Sequence, residues 1–128
     1  MTWILSQRSE RHLNGVHPDL VNVVQRALAI SSVDFIVIEG IRAPERQQQL
    51  VASGASRTMS SRHLTGHAVD IAPWINRIIP WDNWPAFEQV ASAMKQAALE
   101  MNVPLVWGGD WTAFRDGPHF ELPRGAYP

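Results

Sequence analysis

The ten residues from Ser61 to Asp70, SRHLTGHAVD, constrain the possible fold more than any other stretch of the chain. They place two histidines, hydroxyl groups and a carboxylate around a glycine, directly before residues that alternate as a strand does. An ionised carboxylate between Val69 and Ile71 is costly unless it is paired or bound to a metal. Asp70 therefore predicts a metal site, and the alternatives are an exposed sheet face or an ion pair with an arginine.

The absence of cysteine limits the kind of metal site that this chain can form. Thiolate ligands and disulfides are excluded, so any metal must bind imidazole and carboxylate groups. A length of 128 residues fits one domain, residues 1–128, and a net charge of −1 gives no general reason to expect nucleic acid. Near the start, the apolar run is only Trp3 to Leu5, so we expect neither a signal peptide nor a membrane anchor.

Hydrophobic periodicity predicts three helices and a small number of short strands. Apolar residues at steps of three and four indicate helices over residues 19–30 and from about 83 to 101, and Pro44 can open another helix that ends near Gly54. Strands are predicted over residues 34–38, 68–72, 105–107 and 119–122, with a brief one at Ile78 and Ile79. This order indicates an α+β fold, a single domain with a small central antiparallel sheet flanked by helices.

His63 and Asp70 form the first part of the predicted metal site. They are seven residues apart, and Thr65 and Gly66 between them can form a tight turn that brings both side chains toward one point. His67 lies four residues after His63, a spacing that also occurs on one face of a helix. The helical zinc-protease signature, however, requires a glutamate where this chain has a leucine. His67 is therefore predicted to be a turn residue, or a residue that supports a ligand, rather than a ligand itself.

The second part of the predicted site is near residue 119. His119 and Glu121 share one strand face, so His119 can point toward Asp70. Two histidines and one carboxylate would give zinc three protein ligands and leave a fourth position for water, as in catalytic sites. Asp116 precedes His119 by three residues and is a candidate general base, although an aspartate before Gly117 is also typical of a turn.

Two motifs resemble those of the zinc D,D-carboxypeptidase and L-alanyl-D-glutamate endopeptidase family of peptidoglycan peptidases, especially its single-domain phage endolysins. The first motif is S-x-H-x-x-G-x-A-x-D, from Ser61 to Asp70, and the second is D-x-x-H, from Asp116 to His119. The similarity extends over almost the whole chain. It implies the mixed fold shared with the hedgehog signalling domain and D,D-peptidases.

The resemblance also implies roles for individual residues. One zinc ion would be bound by His63, Asp70 and His119, and Asp116 would be the catalytic base. Arg42 would bind substrate or stabilise the oxyanion, whereas from the residues alone it would pair with Glu39 or Glu45. Substrate contacts are further expected for Gln47, Ser61 and Trp107. Trp107 and Trp111 could line the cleft, although tryptophans more often pack in protein cores. The family often has serine or threonine after the arginine, and Ala43 stands there instead.

The implied activity is cleavage of the peptidoglycan stem peptide, between L-alanine and D-glutamate, during phage-driven lysis. A D,D-carboxypeptidase that releases terminal D-alanine is the enzymatic alternative, and a zinc-stabilised binding module without hydrolysis is the non-catalytic one. We expect a monomer without a separate wall-binding domain. It would stay in the host bacterial cytoplasm until a holin-type partner, by analogy with the family, gives it access to the wall.

Overall fold

A four-stranded antiparallel sheet lies at the centre of the computed structural model, which describes residues 3–56 and 58–128. Its strands are β1 (Phe35–Glu39), β2 (Ala68–Pro73), β3 (Val106–Trp107) and β4 (His119–Glu121). Their order across the sheet is β1-β2-β4-β3, so the strand that is last in sequence lies inside the sheet. This arrangement confirms the predicted α+β fold with a small antiparallel sheet.

The described residues form four α-helices beside the sheet strands in sequence: α1 (Gln7–His12), α2 (Pro18–Ile30), α3 (Pro44–Ala52) and α4 (Trp84–Glu100). Proline lies in the first turn of α2, α3 and α4. Backbone N–H groups of the first turn have no acceptor within the helix, so proline, which lacks this group, removes no hydrogen bond there. Asn83 caps α4 by accepting a hydrogen bond from the backbone N–H of Ala86. The short helix α1 was not predicted, because its six residues contain no apolar stripe; Ser6 caps it.

The hydrophobic core forms where α2 and α4 pack together and α4 packs on β2. Leu20, Val24 and Leu28 of α2 are buried, as are Val90 and Met94 of α4. Burial of such side chains contributes roughly 1.5–3 kcal/mol each. Among the described residues, no helix is both long enough and apolar enough to cross a membrane.

The register of the sheet places three polar residues side by side. Asp70 on β2 is paired with His119 on β4, and on its other side with Glu39 at the end of β1. A register slip of one residue in β4 would turn His119 toward the opposite face. The sheet therefore positions Asp70 between a histidine and a carboxylate that are distant in sequence.

The brief strand predicted at Ile78 and Ile79 is wrong. Ile75 and Ile78 form an isolated bridge across a tight turn, in which Asn76 and Arg77 both have positive φ. Ile78 is 61% exposed. The two neighbouring isoleucines suggested a brief strand, but no strand of the sheet pairs with this segment in the described part of the chain.

Gly40 follows β1 where the backbone passes against α1, and its replacement by alanine is expected to destabilise the protein. A Cβ atom here would lie 1.8 Å from the carbonyl oxygen of His12. Relieving this overlap requires backbone movement, so we expect a loss of about 1–3 kcal/mol or more in the free energy of unfolding, measured by urea denaturation. Gly125→Ala is the control, because no atom lies within 4 Å of its added Cβ. Equal stability of the two variants would contradict the close packing at Gly40.

Candidate active site

Three side chains converge at the sheet: His63, Asp70 and His119. Each offers one ligand atom, and these atoms all lie within 4.8 Å of one another. Nε2 of His63 is 3.1 Å from Oδ1 of Asp70, and Nδ1 of His119 is 3.4 Å from the same oxygen. The structure thus brings together the three residues that the sequence predicted as ligands, and the group could hold a metal ion.

The orientation of His63 is fixed by the loop that contains it. Residues Arg62–Thr65 form a 3-10 turn, which Ser61 caps by accepting a hydrogen bond from the backbone N–H of His63. The turn ends at Gly66, whose φ of 77° favours glycine. Nδ1 of His63 is 2.8 Å from the carbonyl oxygen of Gly40 and must donate to it, since a carbonyl only accepts. Nε2 is then free to bind a metal.

Glu121 fixes His119 in a similar way. Its Oε1 lies 2.8 Å from Nε2 of His119, which leaves Nδ1 directed at Asp70. A carboxylate that accepts from the outer nitrogen of a histidine ligand orients the ring and makes the inner nitrogen more basic. The sequence showed that His119 and Glu121 share a strand face, but this contact was not predicted.

The charges of the cluster favour a bound cation. Burial works against ionisation of Asp70, yet hydrogen bonds from His119 and His63 hold its pKa well below the ordinary value. Burial also opposes the charged form of His119, but hydrogen bonds to Asp70 and Glu121 raise its pKa to about 9. The carboxylates thus stabilise positive charge between the histidines. A divalent ion can replace that proton, so this set of imidazole and carboxylate groups fits a metal such as zinc.

Arg42 reaches the same site from the loop after β1. Its side chain is 10% exposed and forms an ion pair with Glu39, and one of its nitrogens, Nη2, lies 3.6 Å from Oδ2 of Asp70. Arg42 therefore forms the ion pair with Glu39 that the residues alone suggested. It also lies beside Asp70, one of the predicted ligands.

Gln47 does not have the substrate contact that the resemblance implied. It is fully buried and does not line the cavity at the site. Its Oε1 accepts from Arg42 at 2.7 Å, and its Nε2 donates to Oγ of Ser56 and to the carbonyl oxygen of Thr58. The expectation of a direct contact is corrected, because these bonds make Gln47 a support for Arg42.

Trp107 also lies away from the cavity. It is 6% exposed, its ring stacks on Trp84 and Phe120, and its Nε1 donates to the carbonyl oxygen of Gly117 at 2.7 Å. Of the two positions considered for Trp107, the structure therefore has the core position rather than one that lines the cleft. Trp111 instead lines the cavity, with its ring 5.2 Å from that of His119.

A cavity of about 570 Å³ lies over the cluster and is lined by Asp116 and Ser61 as well as by the three predicted ligands. The backbone of Asp116 accepts from the N–H of His119 and donates to Gly108, so its position is tied to β4. Burial and the negative charge of Asp70 raise the pKa of Asp116. A carboxyl group with a raised pKa beside a metal site is suited to proton transfer.

Comparisons with known proteins agree with this geometry. The family model for phage L-alanyl-D-glutamate peptidase matches residues 1–123. An L-alanyl-D-glutamate peptidase of Escherichia phage T5 is 39% identical over 130 residues, which cover 99% of this chain and 94% of the relative. The peptidoglycan L-alanyl-D-glutamate endopeptidase CwlK of Bacillus subtilis is 26% identical over 113 residues, covering 79% of this chain and 68% of its own length.

Solved structures show the same fold. The Serratia marcescens L-Ala D-Glu endopeptidase ChiX superposes with a TM-score of 0.92 at 45% identity, covering 98% of this chain and 94% of that chain. The D,D-dipeptidase VanXYg superposes with a TM-score of 0.50 at 18% identity over 84% of this chain and 50% of its own, which indicates a shared fold alone. From the family match and these similarities, the chain belongs to the phage L-alanyl-D-glutamate peptidase family.

Proposed function

We propose that the protein is a zinc-dependent endopeptidase of bacterial peptidoglycan that cleaves the stem peptide between L-alanine and D-glutamate. The observation that supports this most directly is the position of Asp116, which lines the same cavity as the His63, Asp70 and His119 cluster. Membership of the family and the names of the relatives support the peptide bond and the substrate. Zinc is proposed because two imidazoles and one carboxylate leave a position open for chemistry.

The residues around the cluster have distinct roles in the proposed mechanism. Bound zinc would supply Lewis acidity and lower the pKa of a bound water to about 7. Asp116 takes a proton from the attacking water and returns it to the leaving amine. Arg42 donates to the carbonyl oxygen as negative charge develops there, and Gln47 and Glu39 hold its guanidinium in place. His63 and His119 are kept in the required tautomers by Gly40 and Glu121.

Analysis of the cleavage products tests the proposal. Purified peptidoglycan is digested with the zinc-loaded protein, and the fragments are identified by mass spectrometry. We expect a new amino terminus on D-glutamate. Release of free D-alanine would instead identify a D,D-carboxypeptidase, and an unchanged wall would favour a non-catalytic binding module. Addition of a chelator should abolish cleavage, and addition of zinc should restore it.

The cellular setting is also a proposal. A monomer that accumulates in the host cytoplasm and reaches the wall through a holin-type partner is compatible with the phage relatives. Expression of the protein alone in a bacterial host should then leave the cells intact, and coexpression of a membrane-permeabilising protein should cause lysis. Lysis by the protein alone would contradict this order of events.

A further inference from the structure

The side of the cavity next to Glu121 has an excess of positive charge. Arg62 is buried there and donates to the carbonyl oxygens of Leu122 and Tyr127, and no carboxylate lies within ion-pair distance in the described part of the chain. Arg124 belongs to the same lining of the cavity as Arg62 and Glu121. Glu121 is the nearby anion, and it already accepts from His119. Two guanidinium groups thus line this side of the cavity with one carboxylate, which is already engaged with His119.

Arg124 is the exposed member of this pair and lines the cavity. Its Nη2 donates to the carbonyl oxygen of Ser60, directly before the loop that contains His63. Among the described residues, the Arg124 side chain makes this one hydrogen bond. A guanidinium has five N–H donors, so most of them are not used by it. Arg124 is therefore held at one point and retains donors for a further acceptor.

The proposed substrate supplies such an acceptor. A glutamate residue in a peptide has one carboxyl group in the chain and one free, so the residue that contributes the leaving amine also brings a carboxylate close to the cleaved bond. The cavity already contains the carboxylates of Glu39, Asp70, Asp116 and Glu121. The substrate carboxylate would add another negative charge, which a nearby cation must neutralise. Arginine can do this by binding a carboxylate through two parallel hydrogen bonds.

We propose that Arg124 binds the free carboxylate of the substrate's glutamate residue and thereby selects a peptide with glutamate after the cleaved bond. This inference rests on the proposed function, because it assumes that the bond before glutamate is cleaved. Among the described residues, Arg46 is the other exposed arginine on the cavity, but it extends from α3 without a hydrogen bond or ion pair to any of them. Arg124 is therefore better placed to hold one defined orientation.

The test uses two soluble stem peptides that differ in one group. One has L-alanyl-D-glutamate with its free carboxylate, and the other has an amide in place of that carboxylate. The change Arg124→Gln removes the charge but keeps an N–H group that can donate to Ser60. We expect this variant to lose roughly tenfold to a hundredfold in kcat/KM on the carboxylate peptide, the usual effect of losing a charge-assisted hydrogen bond. On the amide peptide, the loss should be far smaller.

Controls distinguish this role from general charge or structural effects. Arg46→Gln removes the same charge from the same cavity and should leave the ratio of the two rates unchanged. Arg124→Lys should recover part of the preference, and zinc affinity and Tm of Arg124→Gln should match the parent protein.

Each remaining outcome contradicts the inference. A parent protein that cleaves both peptides equally, or an Arg124→Gln variant that loses the same factor on both, would overturn it and leave the proposed function intact. A change of preference in Arg46→Gln alone would assign the role to Arg46. Failure of the parent to cleave either peptide would refute the proposed function together with the inference.

Discussion

Replacement of Asp116 by asparagine is expected to abolish most cleavage while the protein stays folded and keeps its metal. Asparagine cannot accept the proton of the attacking water, and loss of a general base usually lowers the rate by about 10²–10⁴. Asp116 is outside the His63, Asp70 and His119 group, so metal affinity should not change. Its contacts with Gly108 and His119 are made by backbone atoms, which asparagine retains.

The loss should appear in kcat rather than in KM, measured on a soluble stem peptide with zinc present in excess. Asp110→Asn is the matched control, because Asp110 is exposed, forms an ion pair with Lys95, and does not line the cavity. This control should retain full activity. If Asp116→Asn cleaved as fast as the parent, another group would have to be the base.

Replacement of Asp70 by asparagine is expected to remove the metal and, with it, a large part of the stability. The amide is neutral and a poor ligand, whereas Asp70 now lies within 3.4 Å of both histidines. Loss of a residue that only supports a ligand lowers metal affinity about 10–100-fold, so loss of a ligand should exceed that. A metal present at 1,000 times its Kd stabilises the folded state by about 4 kcal/mol.

Thermal unfolding with and without zinc measures this effect. The parent protein should show a clear rise in Tm on addition of zinc, and Asp70→Asn should show almost none. Asp82→Asn, at an exposed position, should respond as the parent does. A rise in Tm of Asp70→Asn equal to that of the parent would show that Asp70 is not a ligand.

The main elements of the fold could be predicted because their periodicity is local. Helices α2 and α4 and strands β1 and β2 each contain enough regularly spaced apolar residues to be recognised. Helix α1 has no such pattern. The strand predicted at Ile78 and Ile79 failed for the opposite reason: the apolar residues are there, but Ile78 is exposed on a turn.

The candidate site was predicted in part. Two of the predicted metal ligands, His63 and Asp70, could be recognised from local sequence, because a carboxylate lies within a strand and the histidine is seven residues before it. Strand alternation suggested the third ligand, His119. The roles expected for Gln47 and Trp107 came from resemblance alone, and sequence does not show that both side chains are buried beside the cavity rather than in it. The contact between Glu121 and His119 depends on side-chain rotamers, which a strand pattern does not specify.

The place of β4 in the sheet has a consequence for when this protein becomes active during its synthesis. β4 lies between β2 and β3 and contains His119, so neither the sheet nor the metal group is complete before residue 121 has left the ribosome. Contacts between residues so far apart in sequence form late in folding. A nascent chain, or one truncated before β4, would therefore contain His63 and Asp70 without His119, and it could not yet form the three-residue metal group.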